Sequence, residues 1–547
     1  MGPRITAQRM RSMQSWITAQ WLQVMGPWEA SLRLRAALLA AVLLFMSVPQ
    51  VEAMAMLGAS KESLAENGGV QGRAAGENSG ELPVRYDLRE EGKALTVYDQ
   101  KNQSSCWAYA AISALEAAMK KQAFPVEAIS SLAADHLIMK NAFGTTHDSG
   151  GDYTVSSSYF LAWQGPAGKE TEPLCHIQEI RYPEEKDYTA IKRAVYTFGG
   201  VQTSLYMPER QEAIFKTCYQ ESTCGFYYDG DREVNHDIVI IGWDDGYSRN
   251  NFAKKPASDG AFLCLNSWGE GFGDNGCFFV SYEDTKIGRY NALYSGIEPT
   301  DNFDAIYQSD LGGWTGQLGY GSPSVWIANV YEAAADETVS AAGFYALKSN
   351  TSYRLCVFPV PEKEMTEQAL ENCLRDETTS SSGTTASAGT TAVAGTTSSS
   401  GTTAAAGTTS SSGTTSSSGT TSSSGTMASS GTTSSSGTTS SSGTTASSGT
   451  TVVTGTLPEA GYYTIAFGEG LNIKKGERFA VAAELYSPGT VQPAAIEYRG
   501  TGRSANVDTS DGEGYISADG VEWKRVEEQL DANICLKVYT KRSRDPQ

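Results

Sequence analysis

The chain is short of positive charge and of histidine. Its 547 residues carry 42 basic against 62 acidic side chains, a net charge of -20. That balance repels phosphate backbones, and no basic stripe overcomes it, so no nucleic-acid partner is expected. Long apolar runs are scarce too. The run Ala36 to Val48 (AALLAAVLLFMSV) is 13 residues long, against the roughly 20 that a helix needs to cross a bilayer. Arg33 and Arg35 precede it, and Pro49 and the small residues around Ala53 follow. This is the order of a signal peptide, so residues 1–53 are expected to be removed and the product exported. The stretch before Arg33 is long for such a signal; a start at Met25 and an added targeting element both accommodate it. Removal takes five arginines and two glutamates away and leaves a more acidic chain. No cysteine precedes Cys106 and no apolar tail closes the sequence, so free secretion without a lasting membrane span is the expectation.

The hydrophobic content, 40%, is enough for packed cores in a chain of this length, and small stapled scaffolds are excluded. Nine cysteines are present (106, 175, 218, 224, 264, 277, 356, 373, 535). An odd count in an oxidising compartment leaves one thiol unpaired, and that thiol is the one of interest. Cys218 and Cys224 are close enough in sequence to close a small loop.

Organisation changes twice along the chain. Residues 54–81 are polar and glycine-rich and are expected to form a disordered leader. Residues 82–296 form a globular α+β unit. In it CWAYAAISALEAAMKKQ (106–122) has apolar residues at helical spacing, and DIVIIGW (237–243), AFLCLNSW (261–268) and CFFVSY (277–282) are strand-like. From 301 to 541 short runs such as GFYAL (343–347), YRLCVF (353–358), YYTIAF (462–467) and RFAVAAEL (478–485) predict an all-β sandwich. Inside it lies 378–456, a repeat of SSSGTT with no charge and no aromatic residue. Such a segment buries too little apolar area to offset its ordering entropy, so it is expected to be a flexible loop. A stacked β-helix would need large apolar residues that the repeat does not have. Closing a long loop costs little more than closing a short one, so the insert need not split its domain.

The chemistry concentrates on four residues. Cys106 opens the predicted helix, where the helix N-terminus favours the thiolate that attacks acyl carbons. Gln100 stands six residues earlier in DQKNQSSC, near enough to lend an amide N–H to the carbonyl oxygen under attack, together with the Cys106 backbone N–H. Of the four histidines (136, 147, 176, 236), His236 alone introduces a buried-looking strand, in VNHDIVIIGWDD, and is the candidate base. Asn266, in LNSWGEGFGDNG, can bond the other ring nitrogen and fix the tautomer, with Trp268 either covering that bond from water or simply filling a core. This chemistry needs no metal or cofactor, and none is expected.

QKNQSSCWAYAA, NHDIVIIGWDD and LNSWGEGFGDNGCFFV together resemble the active-site blocks of the papain family of cysteine peptidases. His236 and Asn266 lie 130 and 160 residues after the cysteine, near the separations of papain and cathepsin enzymes, and LPVRYDLREEGKALTVYDQ resembles that family's mature N-terminus. The resemblance implies a two-lobed papain-like fold that hydrolyses peptides or proteins. It further implies that Gly150 and Gly151 hold substrate backbone, although a plain turn explains the pair almost as well. It also places Asp237 at a position that in the family helps line the pocket for the second substrate residue, where a carboxylate either favours basic side chains or is simply solvated. Two features depart from the family. Gln103 stands where a bridged cysteine is usual, and only about 28 residues separate signal from domain, too few for a long inhibitory propeptide. DNFDAIYQSDLGGW and the β pattern after it resemble the lectin-like domain that follows papain-type domains in secreted bacterial proteins, which implies attachment to a cell-surface glycan. Trp314, Trp326 and Trp523 either stack on sugar or pack the sandwich core. Two other functions compete with peptide hydrolysis. A glycan-binding scaffold is argued against by the four intact site residues. Acyl transfer or cell-wall amide hydrolysis is disfavoured by Asn266, since transglutaminases usually carry aspartate there.

Overall fold

The computed structural model describes residues 81–168, 172–360, 451–510 and 512–542, together with three short strands at 432–434, 440–442 and 444–445. The expected signal, nearly all of the leader and most of the repeat segment lie outside the described residues.

The first half is built around one helix, Cys106–Lys121. Alanines at 108, 110, 111, 114, 117 and 118 and the larger Trp107, Ile112, Leu115 and Met119 are all buried, so the helix is apolar around most of its circumference, as a helix between two layers must be. Its small residues allow close approach: a side chain at Gly200 would meet Ala117 and Val239. Glu116 is buried as well, and accepts from the Thr96 N–H and hydroxyl and from Lys120. A buried carboxylate needs such partners, and here they pin the loop leading to the helix.

The helix packs on strand His236–Asp244. That strand runs antiparallel to Val201–Leu205 on one side and to Ala261–Leu265 on the other. Buried on both faces, it reads as a continuous apolar run rather than an alternating one. Helix Tyr153–Leu161, capped by the Asp152 carboxylate, also lies near the central helix.

The second half is a sandwich. One layer contains strands 305–307, 536–542, 337–346 and 461–473; the other contains 451–457, 351–360, 478–486, 324–332 and 514–517. Alternate residues of both layers, among them Phe344, Leu355, Ile465, Val481 and Val538, meet in one core. Strands 351–360 and 451–457 pair antiparallel, Thr351 with Leu457 and Val357 with Thr451, so the repeat segment connects two neighbouring strands. The last six residues expected to be flexible, 451–456, instead belong to that strand, because Val453 and Leu457 face the sandwich core.

The two halves share a sheet. Strand His176–Arg181 pairs with Arg289–Glu298 on one edge and with the sandwich strand Gly461–Ile473 on the other. Tyr345, Leu347, Tyr462, Ala495, Val507 and Cys535 of the second half lie in the same core cluster as Trp107 and Tyr159 of the first. The eight described cysteines are all free, so counting an odd thiol singles out nothing. Cys218 and Cys224 are unbridged, and the loop between them is closed by the pairing of Tyr219 with Phe226 and of Gln220 with Gly225. The Cys224 sulfur instead faces the Glu221 carbonyl at 3.8 Å.

Candidate active site

Cys106 is the first residue of its helix and is half-buried. Ser105 precedes it without capping the helix through its side chain, while its carbonyl accepts from the Ala108 N–H at 3.0 Å. The backbone N–H groups of Cys106, Trp107 and Asp237 all favour the thiolate. Because Asp237 directly follows His236, this contact sets the start of the 236–244 strand against the helix N-terminus.

Antiparallel pairing of Val239 with Leu265 carries Asn266 back alongside the beginning of the histidine strand. There His236 Nε2 and Asn266 Oδ1 are 2.7 Å apart. The Ser267 backbone N–H also donates to Asn266 Oδ1, at 2.8 Å. An atom that accepts from a backbone N–H is an oxygen, so Nε2 must carry the ring proton and Nδ1 is the proton-accepting nitrogen. Trp268 lies over the ring with centroids 5.2 Å apart, backed by Phe272 at 5.0 Å and by the Arg210 guanidinium at 4.8 Å.

Gln100 is buried and held at three points. Its N–H donates to the Ser267 carbonyl at 2.8 Å, its Oε1 accepts from the Ser267 hydroxyl at 2.6 Å, and its Nε2 donates to the Gln103 carbonyl at 2.7 Å. A carboxamide nitrogen has two protons, so one N–H remains. Gln103 thus orients Gln100 at the position where a bridged cysteine is usual. Ser267 was not singled out from the sequence, although its place beside Asn266 could have suggested it.

Gly150 has φ +69° and open space where a side chain would stand, whereas a Cβ at Gly151 would come within 2.3 Å of the Trp107 indole. Gly150 therefore has open space beside it, and Gly151 lies against the residue after Cys106. Asp237 is buried, and its carboxylate accepts from the Gln202 amide at 3.0 Å and the Ser204 hydroxyl at 2.6 Å. Nothing local in the sequence marks Gln202 and Ser204, which reach Asp237 only through strand pairing.

Burial dominates the electrostatics. It pushes the Cys106 thiol up to about 12, with the Asp237 charge adding to the rise. It pushes the His236 imidazolium down to about 4 against the opposing bond to Asn266, and Asp237 up to about 6. Asp237→Asn removes one cause of the thiol's elevation. The pH profile of Cys106 alkylation by iodoacetamide should then shift to lower pH, with several-fold faster labelling at neutral pH; an unchanged profile would contradict the charge coupling. Since the folded state holds the Asp237 proton more tightly than the unfolded chain does, this carboxyl lowers stability as pH rises from about 4 to about 6. The same variant should flatten that part of the melting-temperature profile.

Residues 82–297 match the papain family of cysteine proteases. The chain carries a papain-family cysteine protease domain. A lectin-like domain follows, matched over residues 306–399 and 387–540. Mouse cathepsin S is 26% identical over 235 residues, covering 40% of this chain and 62% of that protein, and human cathepsin L2 is 24% identical over 215 residues, covering 36% and 60%. The chain thus spans about 60% of the length of these curated relatives. Cwp84 of Clostridium difficile, a surface-layer-associated protein solved with its cysteine protease and lectin-like domains, superposes with a TM-score of 0.59 at 19% identity, over 85% of this chain and 90% of that one. The same clostridial protease after propeptide cleavage gives 0.61 at 19% identity, over 84% and 99%. Protease and lectin-like domains therefore share the fold of those structures in the same chain order. Trp326 and Trp523 of the lectin-like domain are buried and face one another edge to face, and Trp314 packs between Tyr182 and Tyr345. All three serve packing. No helix among the described residues is long and apolar enough to cross a membrane.

Proposed function

We propose that the protein is a secreted cysteine endopeptidase that hydrolyses peptide bonds through Cys106 and His236. The sulfur attacks the scissile carbonyl while its proton is held at His236 Nδ1, which then gives it to the leaving amine. Water completes hydrolysis of the thioester by the same base. Asn266 keeps the ring in the required tautomer and Trp268 shields their bond from water. The free N–H of Gln100 and the Cys106 backbone N–H receive the oxyanion. Gly150 and Gly151 hold the substrate backbone, and Asp237 supplies negative potential beside the cleft. The observation that carries the reading is the bond from His236 Nε2 to the Asn266 oxygen, 2.7 Å, which leaves Nδ1 as the base.

Hydrolysis of a small dipeptidyl fluorogenic amide tests it. Turnover should require a thiol reductant and fall in step with alkylation of Cys106; turnover persisting in fully alkylated protein would overturn the mechanism. Asn266→Ala should retain activity, with kcat lower on the order of 10- to 100-fold, because orientation contributes less than the thiolate itself.

The lectin-like domain is proposed to attach the enzyme to a cell-surface glycan. With the three tryptophans engaged in packing, the exposed Tyr320, Tyr486 and Tyr498 are the rings on which a sugar face could stack. Sugar-competed retention of the full chain on cell-wall fragments, weakened by alanine at these tyrosines, supports this attachment. Retention that sugars do not compete argues against it.

A further inference from the structure

A side chain of the lectin-like domain reaches the residue that follows the glycine pair. Arg503, in the short 3-10 turn Gly502–Asn506, pairs with the Asp152 carboxylate. Asp152 directly follows the Gly150–Gly151 pair, and its other oxygen accepts from the Thr154 N–H at 2.9 Å, capping helix Tyr153–Leu161. One carboxylate is thus held from two sides, by its own helix and by the other domain. The contacts then run toward the nucleophile: Gly151 lies on the Trp107 indole, and Trp107 follows Cys106.

The turn bearing Arg503 is itself docked. The Asn506 amide donates to the Phe143 carbonyl at 3.1 Å, and Val507 is buried in the protease core. A docked turn offers a fixed guanidinium, whose planar fork loses little freedom on pairing with a carboxylate. Both partners remain about one-third exposed, 38% for Arg503 and 35% for Asp152, so screening makes the pair weak as a source of stability. Its placement at the end of the glycine pair makes it effective as a positioning device.

Resting on the peptidase reading above, we propose that Arg503 is a positioning residue of the protease site. It acts through Asp152 to hold the Gly150–Gly151 backbone where substrate binds, so the lectin-like domain takes part in substrate binding as well as attachment. Such a residue contributes to binding that is equal in ground and transition states, and its loss raises KM more than it lowers kcat.

The test uses the full chain with a peptidyl fluorogenic amide for KM and kcat, and with iodoacetamide, which needs no peptide rail, for the thiol. Arg503→Ala should raise KM roughly tenfold with kcat within about threefold and iodoacetamide labelling of Cys106 unchanged. Arg503→Lys should recover part of the loss, since it restores charge but not the fork. Asp152→Asn keeps the helix cap and loses the ion pair, so it should match Arg503→Ala, and the double variant should be no worse than either single one. An unchanged KM in both single variants, or a fall in labelling equal to the fall in turnover, overturns the proposal. A wild-type chain without thiol-dependent turnover would overturn the peptidase reading and this inference with it, whereas an active wild type with unaffected variants overturns this inference alone.

Discussion

Cys106→Ala and His236→Ala are each expected to reduce thiol-dependent hydrolysis on the order of 10⁴-fold or more, with circular dichroism and solubility unchanged. Nucleophile and base act as one unit, so the double variant should be no less active than either single one. The fold tolerates both changes for separate reasons. Cys106 is half-buried at a helix start, and a shorter side chain leaves little void there. Removing the His236 ring leaves Asn266 Oδ1 with its second donor, the Ser267 N–H, so the loss should stay at about 1–3 kcal/mol. Undiminished turnover in either variant would remove the basis of the mechanism.

Truncation near residue 300 should abolish soluble, cooperatively folded protease. Strand His176–Arg181 would lose its pairing with Gly461–Ile473 and become an open edge. The protease core would lose Tyr345, Leu347, Tyr462, Ala495, Val507 and Cys535. Large buried side chains contribute about 1.5–3 kcal/mol each, and the two tyrosines and leucine alone approach the roughly 5–15 kcal/mol that holds a typical domain together. The Gln178 carboxamide would lose the Thr464 hydroxyl, 2.8 Å away, and Arg181 would lose Glu459 at 3.2 Å. A truncated chain that melts cooperatively near the full-length temperature would show the shared sheet to be dispensable.

Much of this was legible because local pattern and tertiary role agree. The alanine-rich stretch after Cys106 forms the helix Cys106–Lys121, one residue short of the expected end. DIVIIGW lies within the buried strand His236–Asp244, and YRLCVF and RFAVAAEL lie within sandwich strands. Gln100, Cys106, His236 and Asn266 stood out because each residue type is needed for one task and occurs in a recognisable setting. What stayed hidden depends on distant partners. CHIQEIR does not read as a core strand, since its polar residues are buried by partners distant in sequence from both halves: Gln178 accepts from Thr464 of the second half, and Glu179 accepts from Arg181 and from Ser295 of the first. No local pattern announces Arg503, which gains meaning only across a separation of 351 residues from Asp152. Cys218 and Cys224 are close enough in sequence to bridge, yet both are free, and backbone pairing closes the loop between them.

Mapping the residue modified by a peptidyl epoxide tests the central claim most directly. The full-length reduced protein is incubated with the label until turnover ceases, then digested and sequenced by mass spectrometry. Cys106 is half-buried at the helix N-terminus, and Cys224 is the other described thiol that is not buried. Stoichiometric modification of Cys106 alone, in parallel with loss of turnover and absent from His236→Ala, is the expected result. Modification of Cys224 with Cys106 untouched, or complete labelling of Cys106 with turnover intact, would contradict it.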